Sequence, residues 1–384
     1  MKTNKIALAL GIAAMMATGA ALAQSPTTFS VNGSNFTVYG NVDMYLNSMR
    51  SSSGSSLTAI QDGSILRTRL GLKGDKDVGE GRTIKFALEQ GLNETSGAQA
   101  DTTRLFDRQA WVGIATAAGE FRVGRQNTAV FYRGDYIDWS SRTMGSVINA
   151  FGVPSRYDGD LAYLSPRING FMFEAHYALQ GASVNSTTNQ GVYQLALDYE
   201  NGPYRVGYAG LAGKPAYGTG TSVSELVRYD NLYANYNYGK GKVYLAYVRS
   251  NNNGPTGALN NGDSPLGKVG TLITGTNAGA YTYYNIPQIS ADYNVTEKLR
   301  IGGLYGQIRD ASGSGKNAKG WNVGAMYDVF KDTTVYLLLE SLANDTNAGF
   351  RPSGSAGLSK TFTAAGDVNG KTISGVQLGF RYKF

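Results

Sequence analysis

The sequence predicts an all-β fold, a sixteen-stranded antiparallel transmembrane β-barrel. Three observations carry that reading. Run after run alternates apolar and polar residues with period two. The connections between runs are by turns short and long. The polar face of the runs holds more charge than a dry core accepts. Period two marks a strand because successive side chains leave opposite faces of the sheet.

The chain opens with Lys2 and Lys5 ahead of the apolar run IALALGIAAMMATGAALA, which closes on the small-x-small site Ala21-Leu22-Ala23. This is the pattern of a cleaved secretory signal peptide over 1–23, leaving 24–384 as one barrel domain. The 35 basic residues less Lys2 and Lys5 leave 33 against 28 acidic, so 24–384 carries +5. The sequence contains no Cys, so disulfides supply none of its rigidity. No second long apolar run follows, which excludes a helical membrane protein. A barrel strand needs apolar residues only at every second position, so modest hydropathy is compatible with it.

The strands then come in order. VDMYLN (42–47) alternates, and TIKFALEQG (83–91) sets Ile84, Phe86 and Leu88 against Lys85, Ala87 and Glu89. FMFEAHYAL (171–179), VYQLALDYE (192–200), VYLAYV (243–248), ISADYNV (289–295) and WNVGAMYDV (321–329) repeat the pattern. Short turns are expected at 75–81, 116–120, 165–170, 200–203, 238–242, 296–298 and 330–332. Long loops rich in Gly, Ser, Asn and Thr are expected at 48–63, 93–104, 127–159, 181–190, 213–228, 250–280, 308–320 and 343–370. Seven turns and eight loops join sixteen strands. Short turns at one rim and long loops at the other are the outer-membrane pattern, periplasmic and extracellular respectively. A secreted β-sandwich also alternates, but it needs a shared apolar core where this chain has a polar face.

If the apolar face meets lipid, the polar face lines a water-filled lumen. A basic wall is expected from Arg67, Arg69, Lys73, Lys85, Arg122 and Arg381, contiguous because the first and last strands of a closed barrel are neighbours. Acids dominate the seventh and eighth strands. The loop 127–159 is too apolar to stand in solvent, so it is expected to fold inward and narrow the pore. It brings Arg133, Asp135, Asp138 and Arg142, and its carboxylates are expected to face the basic wall. Opposed charges across a narrow gap make a transverse field, and basic residues there favour anions. Weak anion selectivity follows as the expectation.

FTVYGNVDMYLN, RLGLKGDKDVGEG, KFALEQG, FDRQAWVGIATAAGEFRVGRQ and the terminal RYKF resemble the general, non-specific porins of Gram-negative bacteria, the betaproteobacterial type in particular. The resemblance spans residues 24–384 and is most specific over 106–126. It implies an outer-membrane homotrimer of sixteen-stranded barrels, each pore constricted by its third long loop, passing ions and small hydrophilic solutes by passive diffusion. It implies a latch to a neighbouring subunit at 93–104, and contact with lipid and lipopolysaccharide. It also gives Gly379, Tyr382 and Phe384 of GVQLGFRYKF the spacing of the signal read by the barrel-assembly machinery. Where many relatives carry Arg-Tyr-Asp in the sixth strand, Ala162-Tyr163-Leu164 stands, and Tyr132 stands near the place of a common aspartate.

Other classes fit less well. His176 and Glu174 share a lumen face, but no nucleophile motif accompanies them, so no enzyme is expected. No metal cluster, cofactor fingerprint or nucleic-acid motif is present. The competing reading is a substrate-specific channel for a sugar or an organic anion. Against it, most tyrosines fall on the lipid face, with Tyr39, Tyr45, Tyr233 and Tyr244 expected inside.

Overall fold

The computed structural model describes residues 27–179, 191–213, 226–251, 283–352, 354–355 and 360–384. The expected leader 1–23, the expected loop 181–190 and the greater parts of the expected loops 213–228 and 250–280 lie outside them. Sixteen strands ring the described residues. They are β1 Ser34–Ser51, β2 in two pieces, Ser56–Asp62 and Arg69–Gly79, β3 Arg82–Asn93, β4 Gln109–Thr116, β5 Gly119–Asn127, β6 Arg156–Leu164, β7 Phe171–Ala178 and β8 Val192–Asn201. The second half is β9 Tyr204–Gly213, β10 Val227–Asn237, β11 Lys242–Ser250, β12 Tyr284–Asn294, β13 Leu299–Asp310, β14 Ala318–Phe330, β15 Thr333–Asn344 and β16 Thr372–Lys383. Each pairs antiparallel with the next, and β16 returns to β1 from Ile373↔Ser51 to Lys383↔Asn41. Closure removes the free edges that an open sheet would expose to hydrocarbon.

The strand period and the turn chemistry agree. Asn169-Gly170 closes the turn after β6 with φ of 49° and 87°, values that Asn and Gly adopt at low cost. Two expected boundaries move. The turn expected at 75–81 shrinks to Glu80-Gly81, because β2 continues to Gly79 and β3 starts at Arg82. The loop expected at 48–63 is largely strand, with Ser56–Asp62 pairing back on β1 and Ser48 and Thr58 hydroxyls 3.2 Å apart across it. Both segments lie at rims where each face of the strand is wet, so polar residues there do not signal a loop. A short strand, Thr27–Val31, turns back through Asn32-Gly33 onto the start of β1. It continues the place of β16 below Phe384, whose backbone exchanges two hydrogen bonds with Gly40 (2.9 and 3.1 Å).

The two faces separate as the alternation requires. Phe171, Tyr193, Leu197, Tyr204 and Val206 stand outward and more than half exposed, while Glu174, His176, Gln194 and Asp198 point in and are buried. Tyr39, Tyr45, Tyr233 and Tyr244 face the interior, where each phenol finds a partner. The interior is not empty. The loop 128–155 (L3) enters it, forming a 3₁₀ turn at Phe131–Tyr136 and one short helix, α1 Val147–Phe151.

Candidate pore constriction

L3 turns inward because the wall offers its apolar residues a socket. Val147 seats on Gly306 and Gly320 and Trp139 on Gly302. A Cβ added at Gly306 would lie 2.3 Å from Val147 Cγ2, and one at Gly302 only 2.4 Å from Trp139 Cδ2. The Trp139 indole N–H donates to Asn322 Oδ1 at 2.8 Å, and its backbone N–H to Ser290 Oγ at 3.0 Å. Phe151 packs on Tyr284, ring centroids 5.4 Å apart, and Phe350 from the loop after β15 covers both. Burying a ring of this size contributes about 1.5–3 kcal/mol.

The root of L3 is held by charge. Arg133 forms an ion pair with Glu174 on β7. The same carboxylate lies 2.8 Å from His176 Nε2, and His176 Nδ1 lies 2.6 Å from Asp160 on β6. Gln194 on β8 accepts from the Ala129 N–H at 3.0 Å and reaches Asp160 Oδ1 at 3.4 Å. Every member is buried, and Arg133 offsets the charge that Glu174 carries out of water. Neither nitrogen of His176 is free to serve as a general base.

Between these anchors L3 crosses the lumen. Tyr136 stacks under the Arg205 guanidinium at 3.8 Å, and Met144 Sδ is 3.8 Å from the Tyr45 hydroxyl on β1. Thr143 and Ser64 hydroxyls meet at 2.7 Å, beside Gln377 on β16. The loop therefore touches both halves of the barrel and narrows what remains.

Around it stand the expected basic residues. Lys85 Nζ is 2.7 Å from Glu120 Oε2, and Arg122 Nε is 2.5 Å from Glu120 Oε1. Arg122 also lies over the Trp111 ring at 4.3 Å and reaches the Tyr132 hydroxyl at 3.3 Å. Its cross-strand neighbours are Gly113 and Ala162, so neither adjacent strand sets a second acid directly opposite it. Arg69 is 3.7 Å from Glu89, which accepts from the Tyr39 hydroxyl at 2.9 Å, and Lys73 lies 5.6 Å from the Tyr39 ring. Arg67 stands in the break 63–68 between the two pieces of β2 rather than on a strand. Arg381 donates to Thr334 Oγ1 at 3.3 Å.

Asp138 does not face the basic wall. Its carboxylate accepts from the N–H groups of Ser140 (3.0 Å) and Arg142 (2.9 Å), the hydroxyls of Ser140 and Ser146 (both 3.0 Å), and Gln288 Nε2 on β12 (3.1 Å). Burial pushes this carboxyl above its usual range, and those donors pull it back. The physical reason is local. Ser141 and Arg142 take left-handed φ of 55° and 63°, a strained turn for non-glycine residues, and Asp138 ties it together. Arg142 is likewise turned inward, over the Phe131 ring at 4.3 Å with Nη2 on Phe131 O at 2.9 Å. Asp135 is the L3 carboxylate left exposed, within electrostatic reach of Lys383. Asp138→Ala should lower the thermal unfolding midpoint by several degrees and leave selectivity nearly unchanged, with Asp138→Asn milder. A selectivity shift without destabilisation would return Asp138 to the pore.

The lumen also holds charges that the alternation does not reveal. Arg108 Nε sits 2.6 Å from Glu89 Oε1, and buried Arg156 lies over Phe131 at 4.9 Å. Both stand at loop ends, outside any run with a readable period. Glu120 hid in an expected turn, although its place beside Arg122 on the same face follows once β5 begins at Gly119. Arg104 pairs with Asp101 (3.2 Å) and with Asp158 (2.7 Å), which also meets Arg125 at 2.6 Å, folding the segment 93–104 back on its own chain. At the other end Tyr336 covers Gly379, the Phe384 ring covers Gly40, and Tyr382 and Phe384 rings stand 5.9 Å apart.

A family model described as Gram-negative porin matches residues 7–348. The chain belongs to this family. An outer membrane porin protein of Bordetella pertussis is 28% identical over 306 residues, covering 73% of this chain and 77% of that one. Among solved structures, the anion-selective porin from Comamonas acidovorans superposes with a TM-score of 0.71 at 21% identity, covering 91% of this chain and all of that one. The trimer form of OmpT, an outer membrane protein of Vibrio cholerae, superposes with a TM-score of 0.61 at 16% identity, covering 92% and 100%. This porin is an outer-membrane channel for passive diffusion.

Proposed function

We propose that this porin passes ions and small hydrophilic solutes without a dedicated binding site, favours anions weakly, and performs no catalysis. The observation that carries the sign is the fate of the acids. Asp138 is engaged by its own loop and by Gln288 on β12, while Lys85 and Arg122 share the single carboxylate of Glu120 and leave that patch one charge positive. Arg67, Arg69, Lys73 and Arg381 extend the basic wall, and Arg133, Asp135, Asp138 and Arg142 belong to the constricting loop in pore-facing or structural roles. Salt weakens the effect over a Debye length of about 8 Å at physiological strength. Reversal potential in a planar bilayer under a KCl gradient tests it, and a cation-side potential overturns it. Liposome swelling with neutral sugars separates the specific channel, which would saturate with one sugar, from a size cut-off.

The reading extends to assembly. Residues 1–23 serve as a cleaved leader, and three copies associate, with 93–104 as the latch. Thr95, Ser96 and Gly97 of that segment are exposed and available to a neighbour. Gly379, Tyr382 and Phe384 serve the barrel-assembly machinery. Deleting Phe384 should cut insertion several-fold while inserted channels keep their conductance. Gly40→Leu, which displaces the same ring, is the control for packing alone. Equal yields of wild type and deletion would leave Phe384 as girdle only.

A further inference from the structure

Every neighbouring pair of strands in the barrel is joined by a turn or a loop except one. β16 meets β1 from the far end of the chain, so no connection sets their register. Alternation sets it only in part. A slip of one residue would turn Arg381 and Lys383 toward lipid, but a slip of two returns every side chain of β16 to its own face. A further device is needed to hold Lys383 level with Asn41.

The lane of β16 along β1 does not end with Phe384. Phe384 is level with Gly40, with which it exchanges backbone hydrogen bonds, and Thr27 is level with Val38. The other edge of β1 is taken from Asn41 to Ser34 by Arg69–Gly79 of β2. Thr27–Val31 and β16 therefore share one edge, and only the level of Tyr39 separates them.

The hairpin that puts Thr27 there is local and well supported. Asn32 and Gly33 take φ of 49° and 73°, the left-handed pair that a two-residue type I′ turn requires and that Asn-Gly adopts readily. On one face Phe29 stacks on Phe36, centroids 5.5 Å and planes 17° apart, and Phe36 meets Phe86 of β3 at 6.1 Å. On the other, the Thr28 and Thr37 hydroxyls lie 3.1 Å apart, Ser30 donates to Asn35 at 2.7 Å, and Asn35 donates to Asp75 on β2 at 3.0 Å. A two-residue hairpin closes far sooner than a pairing between the two ends of a chain, so it stands in place before β16 arrives.

We propose that this hairpin is the register stop for barrel closure. It fills the lane of β16 below Gly40. A slip of two toward the short-turn rim would set Phe384 level with Val38, where Thr27 already lies. A slip the other way would strip the Gly40 N–H and C=O of their partners.

The chain contains no Cys, so two introduced pairs report the register. N41C/K383C joins residues that are level in the structure, within disulfide range. N41C/R381C joins residues that become level only after the slip; as they stand they are diagonal, about 8 Å apart and beyond that range. Each pair is introduced into the full-length chain, the porin is isolated from outer membranes and mildly oxidised, and its disulfides are counted by mass spectrometry. With the hairpin intact, the first pair closes and the second stays reduced. Deleting 27–33, or Asn32→Pro, whose ring cannot take φ of 49°, should raise the second disulfide at least about tenfold. Asn32→Gly keeps the turn and should keep the register. A second disulfide no more abundant in either hairpin variant than with the hairpin intact overturns the proposal. So does failure of both variants to form a folded barrel where Asn32→Gly succeeds, because the hairpin would then serve folding itself rather than register.

Discussion

Replacing Lys85 and Arg122 together with glutamine turns the constriction toward cations. The pair shares Glu120, at 2.7 and 2.5 Å, so the patch passes from one net positive charge to one net negative charge. In water a unit charge about 6 Å away is worth roughly 0.7 kcal/mol to a passing ion, about threefold in local concentration, and the effect is opposite for chloride and potassium. Changing the patch by two charges should therefore lower the chloride-to-potassium permeability ratio at least about tenfold in dilute salt, shrinking toward unity near 1 M, where the Debye length falls to about 3 Å. Glu120→Gln should move the ratio the other way. Reversal potentials at two salt concentrations read both. A double variant with the wild-type ratio would show that ions pass elsewhere, along the Arg69, Arg108 and Glu89 side of the wall.

Arg133→Ala should loosen L3 more than any other single change at its root. It leaves Glu174 buried with its guanidinium partner removed, and breaking a buried pair in this way costs about 3–5 kcal/mol. L3 stays tethered at Trp139 and Val147, so the barrel persists while the turn Phe131–Tyr136 leaves the wall. The expected signs are a lower unfolding midpoint and noisier open-channel current. Glu174→Gln alone should cost less, because its amide still bonds, and Arg133→Ala/Glu174→Gln should be more stable than the two single losses added. Coupling of about 0.5–3 kcal/mol is usual for residues in one network. Unchanged current noise and midpoint in Arg133→Ala would mean that the socket of Gly302, Gly306 and Gly320 positions L3 without this clamp.

Sequence reasoning reached the faces of the strands but not every member of the constriction. Lys85, Arg122, Glu174 and Asp198 point inward as their period requires, since one face meets lipid and a shift by one residue would bury charge in hydrocarbon. Arg108 escaped because it enters the lumen from a loop end, where no period constrains direction. The inward course of L3 was legible in its aromatic content. Its details were not. Asp138 looks like a pore acid in sequence and acts as a five-donor hub, because the left-handed turn at Ser141 and Arg142 needs its carboxylate close by.

By itself, the sequence determines a closed barrel with a wet interior, because alternation leaves one solution for pairing every amide between lipid and water. The tertiary structure decides which charges ions meet. Asp138, in the loop after β5, and Gln288, on β12, become neighbours only through the course of L3, and whether an acid faces water or a buried amide depends on contacts of this kind that no local pattern records.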